Sequence, residues 1–227
     1  MIPARKPNDR LPAPLPGFPS RMPVHSKRVA LFGGSFDPIH HGHLAIAGAA
    51  VRQASLDQVI FLPAARSPFK DRGPVADGEL RMAMLKAAAA GLPWASASGW
   101  ELPRPVPSYS WQAAEHFTRE VDPRAEWFWL MGADQWQALG RWNRWEHLAG
   151  MVTFLIFGRD GQQPPPRPGV RARFLNGEFT GSSTEIRSRL ACGQGIAGLV
   201  PPAVERIILE SGVYGPAGSP SREAGAD

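Results

Sequence analysis

Cysteine is all but missing from this sequence: Cys192 stands alone, which excludes an internal disulfide framework and a metal cluster built from thiolates. Long apolar runs are missing too, and with them any stretch that reads as a membrane-spanning helix. The first 28 residues carry Arg and Lys but no apolar segment of the kind a secretory leader needs, so a cytoplasmic location is expected. Internal repeats are lacking, as are the signatures of RNA-recognition, KH and zinc-finger modules. The formal charge of +5 is a modest excess, supplied in good part by arginines near the start. It fits a solvated basic surface as well as a phosphate-rich partner, and decides nothing alone.

What is present is one domain's worth of alternating pattern. Residues 1–25 are rich in Pro, without hydrophobic periodicity, and are expected to form a disordered extension; residues 216–227 read as a disordered tail. Between them, over 26–215, short apolar runs ("RVALFGG", "QVIFLPA", "EWFWLMGAD", "VTFLIFGRD") alternate with helical segments. Strands that are apolar along their whole length belong in a parallel sheet covered on both faces. The expected fold class is therefore α/β, a Rossmann-like parallel sheet with helices on both faces. Ligands in such sheets bind beyond the carboxyl ends of the strands.

The most polar strand–helix junction is "GGSFDPIHHGHLAIAGAA", residues 33–50. Gly33 and Gly34 can take positive φ and admit a ligand close to the backbone. Asp37-Pro38 favours a turn. His40 and His43 are three apart and share a face if they enter the helix, with Gly42 leaving space between them. The positive end of the helix dipole makes the corner an anion site. A turn with two internally satisfied histidines would account for either His alone, but a bare turn requires no imidazoles. The corner fits neither the kinase nor the dehydrogenase glycine pattern, and no carboxylate or thiolate completes a zinc site.

A second polar junction is "GSSTEIRSRL". Ser182 with Glu185 fits a capping box that starts a helix. Thr184 and Arg187 are not needed for capping, and a helix start bearing hydroxyls and an Arg makes a cradle for polyphosphate. Asp134, after "WFWLM", reads equally as an acceptor for sugar hydroxyls or as a helix N-cap. Trp127 and Trp129 read as strand core. Trp142 and Trp145 read as neighbours on one helical face.

The stretch "GGSFDPIHHGH" resembles the H-x-G-H signature of the nucleotidylyltransferase superfamily, in its nicotinate mononucleotide adenylyltransferase form. Ser35 stands where that family usually has Thr. "GSSTEIR" is similar to its I-S-S-T-x-I-R motif, with Gly181 in place of Ile. "FLPAARSPFK" resembles its Lys-bearing loop, "PSYSWQAAEHF" its S-Y-T helix start, and "LMGADQWQALGRWNRWEHL" its G-A-D and W-x-x-W region. "GLVPPAVERIILESGVYG" resembles its C-terminal helix and closing Tyr. "GRDG" departs from the commoner R-P-G around Arg159.

The resemblance implies transfer of AMP from ATP to nicotinate mononucleotide, giving deamido-NAD+ and pyrophosphate. It places Gly33, Gly34, Ser35, Phe36 and Gly42, with Ser182, Ser183 and Thr184, around the phosphates of ATP. It gives His40, His43, Lys70 and Arg187 the catalytic work. Ser108, Tyr109, Ser110, Gly132, Asp134, Trp142 and Arg159 fall to the nucleotide and pyridine, with Trp142 stacking on the ring and backbone N–H groups of residues 108–110 receiving the carboxylate. A phosphomonoester is already anionic near neutral pH, its second pKa being about 6, so no general base is expected. Mg²⁺ would arrive with ATP rather than in a protein-built cage. Two alternatives are weighed against this: phosphopantetheine adenylyltransferase, which shares the first motif but lacks the G-A-D and W-x-x-W region, and a basic nucleic-acid-binding module without enzymatic activity. Neither a membrane nor a nucleic acid is expected as a partner, and homo-oligomerisation is left open.

Overall fold

The apolar runs form strands whose side chains alternate between two buried faces. A computed structural model describes residues 26–66, 73–158, 164–177 and 181–216. Strands β1 (Arg28–Gly34), β2 (Gln58–Pro63), β3 (Ala95–Ala97), β4 (Glu126–Gly132), β5 (Thr153–Phe157) and β6 (Ala172–Leu175) make a parallel sheet in the order β3-β2-β1-β4-β5-β6. In β1, Ala30 and Phe32 join one core layer while Val29 and Leu31 join the other. In β4, Phe128 and Leu130 face the first layer, and Trp127, Trp129 and Met131 the second. Burial on both faces is why these strands carry no polar alternation.

Helices α1 (His41–Ala54), α2 (Gly78–Ala89), α6 (Ser183–Ala191) and α7 (Pro202–Ser211) contribute apolar residues to the first layer. Helices α3 (Ser110–His116), α4 (Ala133–Gln137) and α5 (Trp145–Met151) cover the second. The helix expected over 110–120 changes pitch: after α3 the chain continues as a π-helical turn, Phe117–Val121. Strands β3 and β6 were not expected. Each is short, lies at an edge of the sheet, and carries Ala, Ser or Arg in place of a continuous apolar run.

The strand order reverses direction beside β1. The chain winds outward through β2 and β3, then returns to lay β4 against the other side of β1. At that switch the flanking connections diverge, so a crevice opens beyond the carboxyl ends of β1 and β4. Among the described residues no helix is long and apolar enough to cross a membrane.

Candidate active site

The crevice holds two cavities that share a rim. Gly33, Gly34 and Ser35, at the end of β1, line both of them, together with Gln135 of α4. The larger, about 870 Å³, takes in Phe36, His40, Gly42 and His43 from one junction and Ser182, Ser183, Thr184 and Arg187 from the other. The smaller, about 420 Å³, is lined by Ser108, Tyr109, Ser110, Trp129, Trp142, Arg66, Arg141 and Glu101.

In the larger cavity the histidines are fixed by local backbone geometry. His40 is the N-cap of α1, and its N–H donates to Nδ1 of His43 at 3.3 Å. The two rings stack 3.8 Å apart, inclined by 29°. With Nδ1 accepting, a neutral His43 carries its proton on Nε2, where it can be donated to an oxygen. Desolvation, and then the neighbouring His40, push the His43 pKa well below its ordinary value, so the ring is neutral near pH 7. Phe36 meets the same ring edge-on at 5.0 Å. Its side chain is buried in the core, so what it offers the cavity is support for His43 and backbone.

The glycines act through space more than through torsion. Positive φ in the β1 corner falls on Phe36 (46°), whereas Gly33 and Gly34 remain strand residues. A Cβ on Gly34 would come within 2.9 Å of the Phe36 ring. Gly181 needs both freedoms: its φ is +124°, and a Cβ there would meet Nδ1 of His40 at 2.9 Å. The Ile found there in the related motif could not sit in this backbone.

At the second junction Ser182 caps α6, its hydroxyl accepting from the Glu185 N–H at 3.4 Å. The reciprocal half of the expected capping box is not formed, because Glu185 pairs with Arg189 one turn on. Ser183 donates to the Pro38 carbonyl at 2.9 Å, tying the two junctions together. Arg187 donates to the Asp37 carbonyl at 2.6 Å and to the Thr184 hydroxyl at 3.3 Å.

Asp37 is the hub of this corner, although its sequence context suggested only a turn. Its buried carboxylate accepts from the Tyr214 hydroxyl at 2.6 Å and from the N–H groups of Val75 and Ala76 at 2.8 and 3.0 Å. Burial and the Asp37 bond push the Tyr214 hydroxyl pKa up, which keeps it a donor. Arg81, also buried, donates to the carbonyls of Ser35 and Ala64, both at 2.8 Å, and so clamps the ends of β1 and β2. Desolvation lowers its pKa, while Asp37, Tyr214 and Asp77 oppose the shift. None of these side chains lies in a motif that announces its partner.

The smaller cavity shows further departures from expectation. Trp142 ends a 3-10 turn with extended backbone, and Arg144 intervenes at φ 49° before α5 begins at Trp145. The two tryptophans therefore do not share a helical face: both pack against the second core layer, but of the two Trp142 alone lines the cavity. The Tyr109 N–H already donates to Gln112 Oε1 at 3.0 Å, so it is engaged within α3. Ser108 is buried and donates to Glu101 Oε2 at 3.0 Å. Asp134 lies in the first turn of α4, whose N-cap is Gly132, so it is not the cap. Both residues line the larger cavity, and Gly132 leaves room for the Asp134 carboxylate, which a Cβ would meet at 2.5 Å. Lys70 and Arg159 lie outside the described residues, as do the terminal segments 1–25 and 217–227.

Among the described residues no cluster of three or more His, Cys, Asp or Glu side chains could hold a metal ion. Asp37 is already occupied by Tyr214 and two backbone donors. This donor set suits a cation held by phosphates and water.

The chain is similar to known proteins in both sequence and fold. The cytidylyltransferase-like family matches residues 31–189. The probable nicotinate-nucleotide adenylyltransferase of Methylacidiphilum infernorum is 38% identical over 198 residues, covering 84% of this chain and 94% of its own. That of Thermus thermophilus is 40% identical over 187 residues, covering 82% and 99%. Among solved structures, the Plasmodium falciparum nicotinic acid mononucleotide adenylyltransferase complexed with NaAD superposes with a TM-score of 0.62. It is 16% identical and covers 83% of this chain and 97% of its own, a likeness of fold.

Proposed function

The chain belongs to the nicotinate-nucleotide adenylyltransferases of the cytidylyltransferase-like family, and from that premise we infer how its two cavities divide the reaction. The enzyme transfers AMP from ATP to nicotinate mononucleotide, releasing pyrophosphate and forming deamido-NAD+, a step of NAD synthesis. ATP, as its Mg²⁺ complex, occupies the larger cavity and the mononucleotide the smaller. The observation that carries this division is the lining that the two cavities share, Gly33, Gly34 and Ser35 with Gln135, where two glycines leave a phosphate from either side room to approach the other.

The nucleophile is the acceptor's phosphate, ionised before it arrives, so the protein's task is alignment and charge neutralisation. The new bond joins an acceptor phosphate oxygen to the α-phosphorus, and the bond to the β-phosphate bridging oxygen breaks with its electron pair on pyrophosphate. Nε2–H of a neutral His43 donates to the α-phosphate oxygens where charge accumulates, and His40 supports it from the stacked position. The α6 start, with Ser182, Ser183 and Thr184, receives the leaving phosphates. Arg187 and Lys70 balance the charge of pyrophosphate. Asp134, at the β4 end, accepts from hydroxyls of the nucleotide. Trp142 supplies a flat apolar surface for the pyridine ring beside Ser108, Tyr109 and Ser110. Arg159 would add a further contact to the nucleotide. A cytoplasmic location fits a reaction that consumes ATP.

Pyrophosphate release tests the reading. Purified protein with ATP and Mg²⁺ is offered nicotinate mononucleotide, nicotinamide mononucleotide or phosphopantetheine. Fastest release with a pyridine mononucleotide is the expected result. Faster release with phosphopantetheine would reassign the smaller cavity.

A further inference from the structure

Glu101 is the single acidic side chain lining the smaller cavity among the described residues, and it does so while almost wholly buried. A carboxyl group is an odd wall for a cavity whose occupant brings a carboxylate and a phosphate. The charged groups around it come from three places. Arg66 follows β2 and Arg141 lies in the 3-10 turn before Trp142, both on the cavity lining. Arg104, on Glu101's own loop, is held outward, donating to the Trp100 carbonyl at 2.9 Å with its guanidinium 3.4 Å over the Trp100 ring. Tyr109 lines the cavity as well, and Ser108 donates to Oε2 of Glu101.

The acceptor's phosphate must lie at the Gly33–Ser35 rim to reach ATP, which leaves the pyridine end to the rest of the lining, Glu101, Ser108 and Trp142 among it. Resting on the assignment of this cavity to the acceptor, we propose that Glu101 sets the enzyme's preference between acid and amide acceptors: protonated, it donates to a pyridine carboxylate; ionised, it repels the carboxylate and accepts from an amide. Burial outweighs the Ser108 bond and Arg104, and raises the Glu101 pKa to about 7, so both forms are present near neutral pH. Ionisation also cancels one of the two arginine charges on the lining. The carboxylate of nicotinate stays ionised across this range, so the titration that changes its reception is the protein's.

The test is the ratio of kcat/KM for nicotinate mononucleotide to that for nicotinamide mononucleotide, measured from pH 6 to 8.5. Both acceptors carry the same phosphate and meet the same ATP and His43, so those titrations cancel in the ratio. In the wild type the ratio should fall about tenfold as pH rises, a coupling of about one pKa unit. Glu101→Gln should hold a ratio that does not change with pH. Equal slopes in the two proteins, or a level ratio in the wild type, would overturn the proposal. Calorimetry on the wild type needs no variant: above pH 7, binding the acid acceptor should take up more protons than binding the amide, seen by comparing buffers of different ionisation enthalpy. Equal uptake would also overturn it. Transfer of adenylate to neither acceptor would instead overturn the assignment of the cavity, and the proposal with it.

Discussion

The larger cavity takes most of its lining from two short stretches, residues 33–43 and 181–187, whereas the smaller collects Arg66, Glu101, Ser108–Ser110, Trp129 and Arg141–Asn143 from well-separated segments. One is a set of donors at two helix starts, where chain direction and hydroxyl chemistry suit any polyphosphate. The other is a wall of tryptophan, serine and one buried acid, suited to a flat base with a particular substituent. Generic phosphate chemistry can be concentrated in contiguous motifs, while selectivity for one base is assembled by the tertiary fold.

The largest test of that contrast is His43→Ala. Removing a preorganised donor at the transition state costs about 2.7–4 kcal/mol, so turnover should fall roughly 100- to 1000-fold while the KM for ATP changes little. Thermal melts run beside the rates check that the loss is chemical; a folded variant with wild-type turnover would break the contrast. Trp142→Ala should act on the other side of the rim. Stacking on a base is worth about 1–3 kcal/mol, so the KM for the mononucleotide should rise about ten- to a hundredfold with little change for ATP. Equal effects on the two substrates would mean that the cavities do not divide the substrates.

Tyr214→Phe removes the donor to a buried carboxylate, about 1–2 kcal/mol of stability, and should lower Tm by several degrees. It should also raise the KM for ATP more than that for the acceptor, because the Asp37 hub belongs to the larger cavity. The two cavities should answer pH in opposite senses. His43, with its folded pKa lowered, stabilises the fold fully above 6.5 and progressively less as pH falls below that value. Glu101, with its folded pKa raised to about 7 from 4.5, favours the fold at low pH and loses that contribution as pH rises through about 7. Glu101→Gln should therefore melt higher than the wild type at pH 8, with the gain vanishing toward pH 4.5. The smallest effect belongs to the Pro-rich start: removing residues 1–21 should leave both KM values and Tm nearly unchanged, and a marked loss would show that the segment docks on the domain.

The contrast also explains what could be read from sequence. The buried strands and the two polar junctions that line one cavity were legible because each signal is contiguous: an apolar run, or glycines, histidines and hydroxyls where a strand or loop meets a helix. The edge strands Ala95–Ala97 and Ala172–Leu175 were not, since they pair on one side only and need little apolar surface. Glu185 satisfied a capping pattern but found Arg189 instead, and the spacing of Trp142 and Trp145 was helical only on paper, because Arg144 turns the chain between them. The hub role of Asp37, named only for its turn, went unread with Arg81 and Glu101 for a shared reason. Their roles rest on Tyr214, the Ser35 carbonyl and a cavity wall, and no local spacing encodes partners of that kind.

The hydrogen bond from Tyr214 to Asp37 joins residues 177 positions apart. Ribosomes build the chain from its amino end, so Asp37 is translated early and waits through most of synthesis for its hydroxyl donor. A chain that stops short of residue 214 cannot form the Tyr214 bond to Asp37, whatever else of the corner it has made. The corner's hydroxyl donor is thereby among the last of the described residues to be made, long after the carboxylate that it serves.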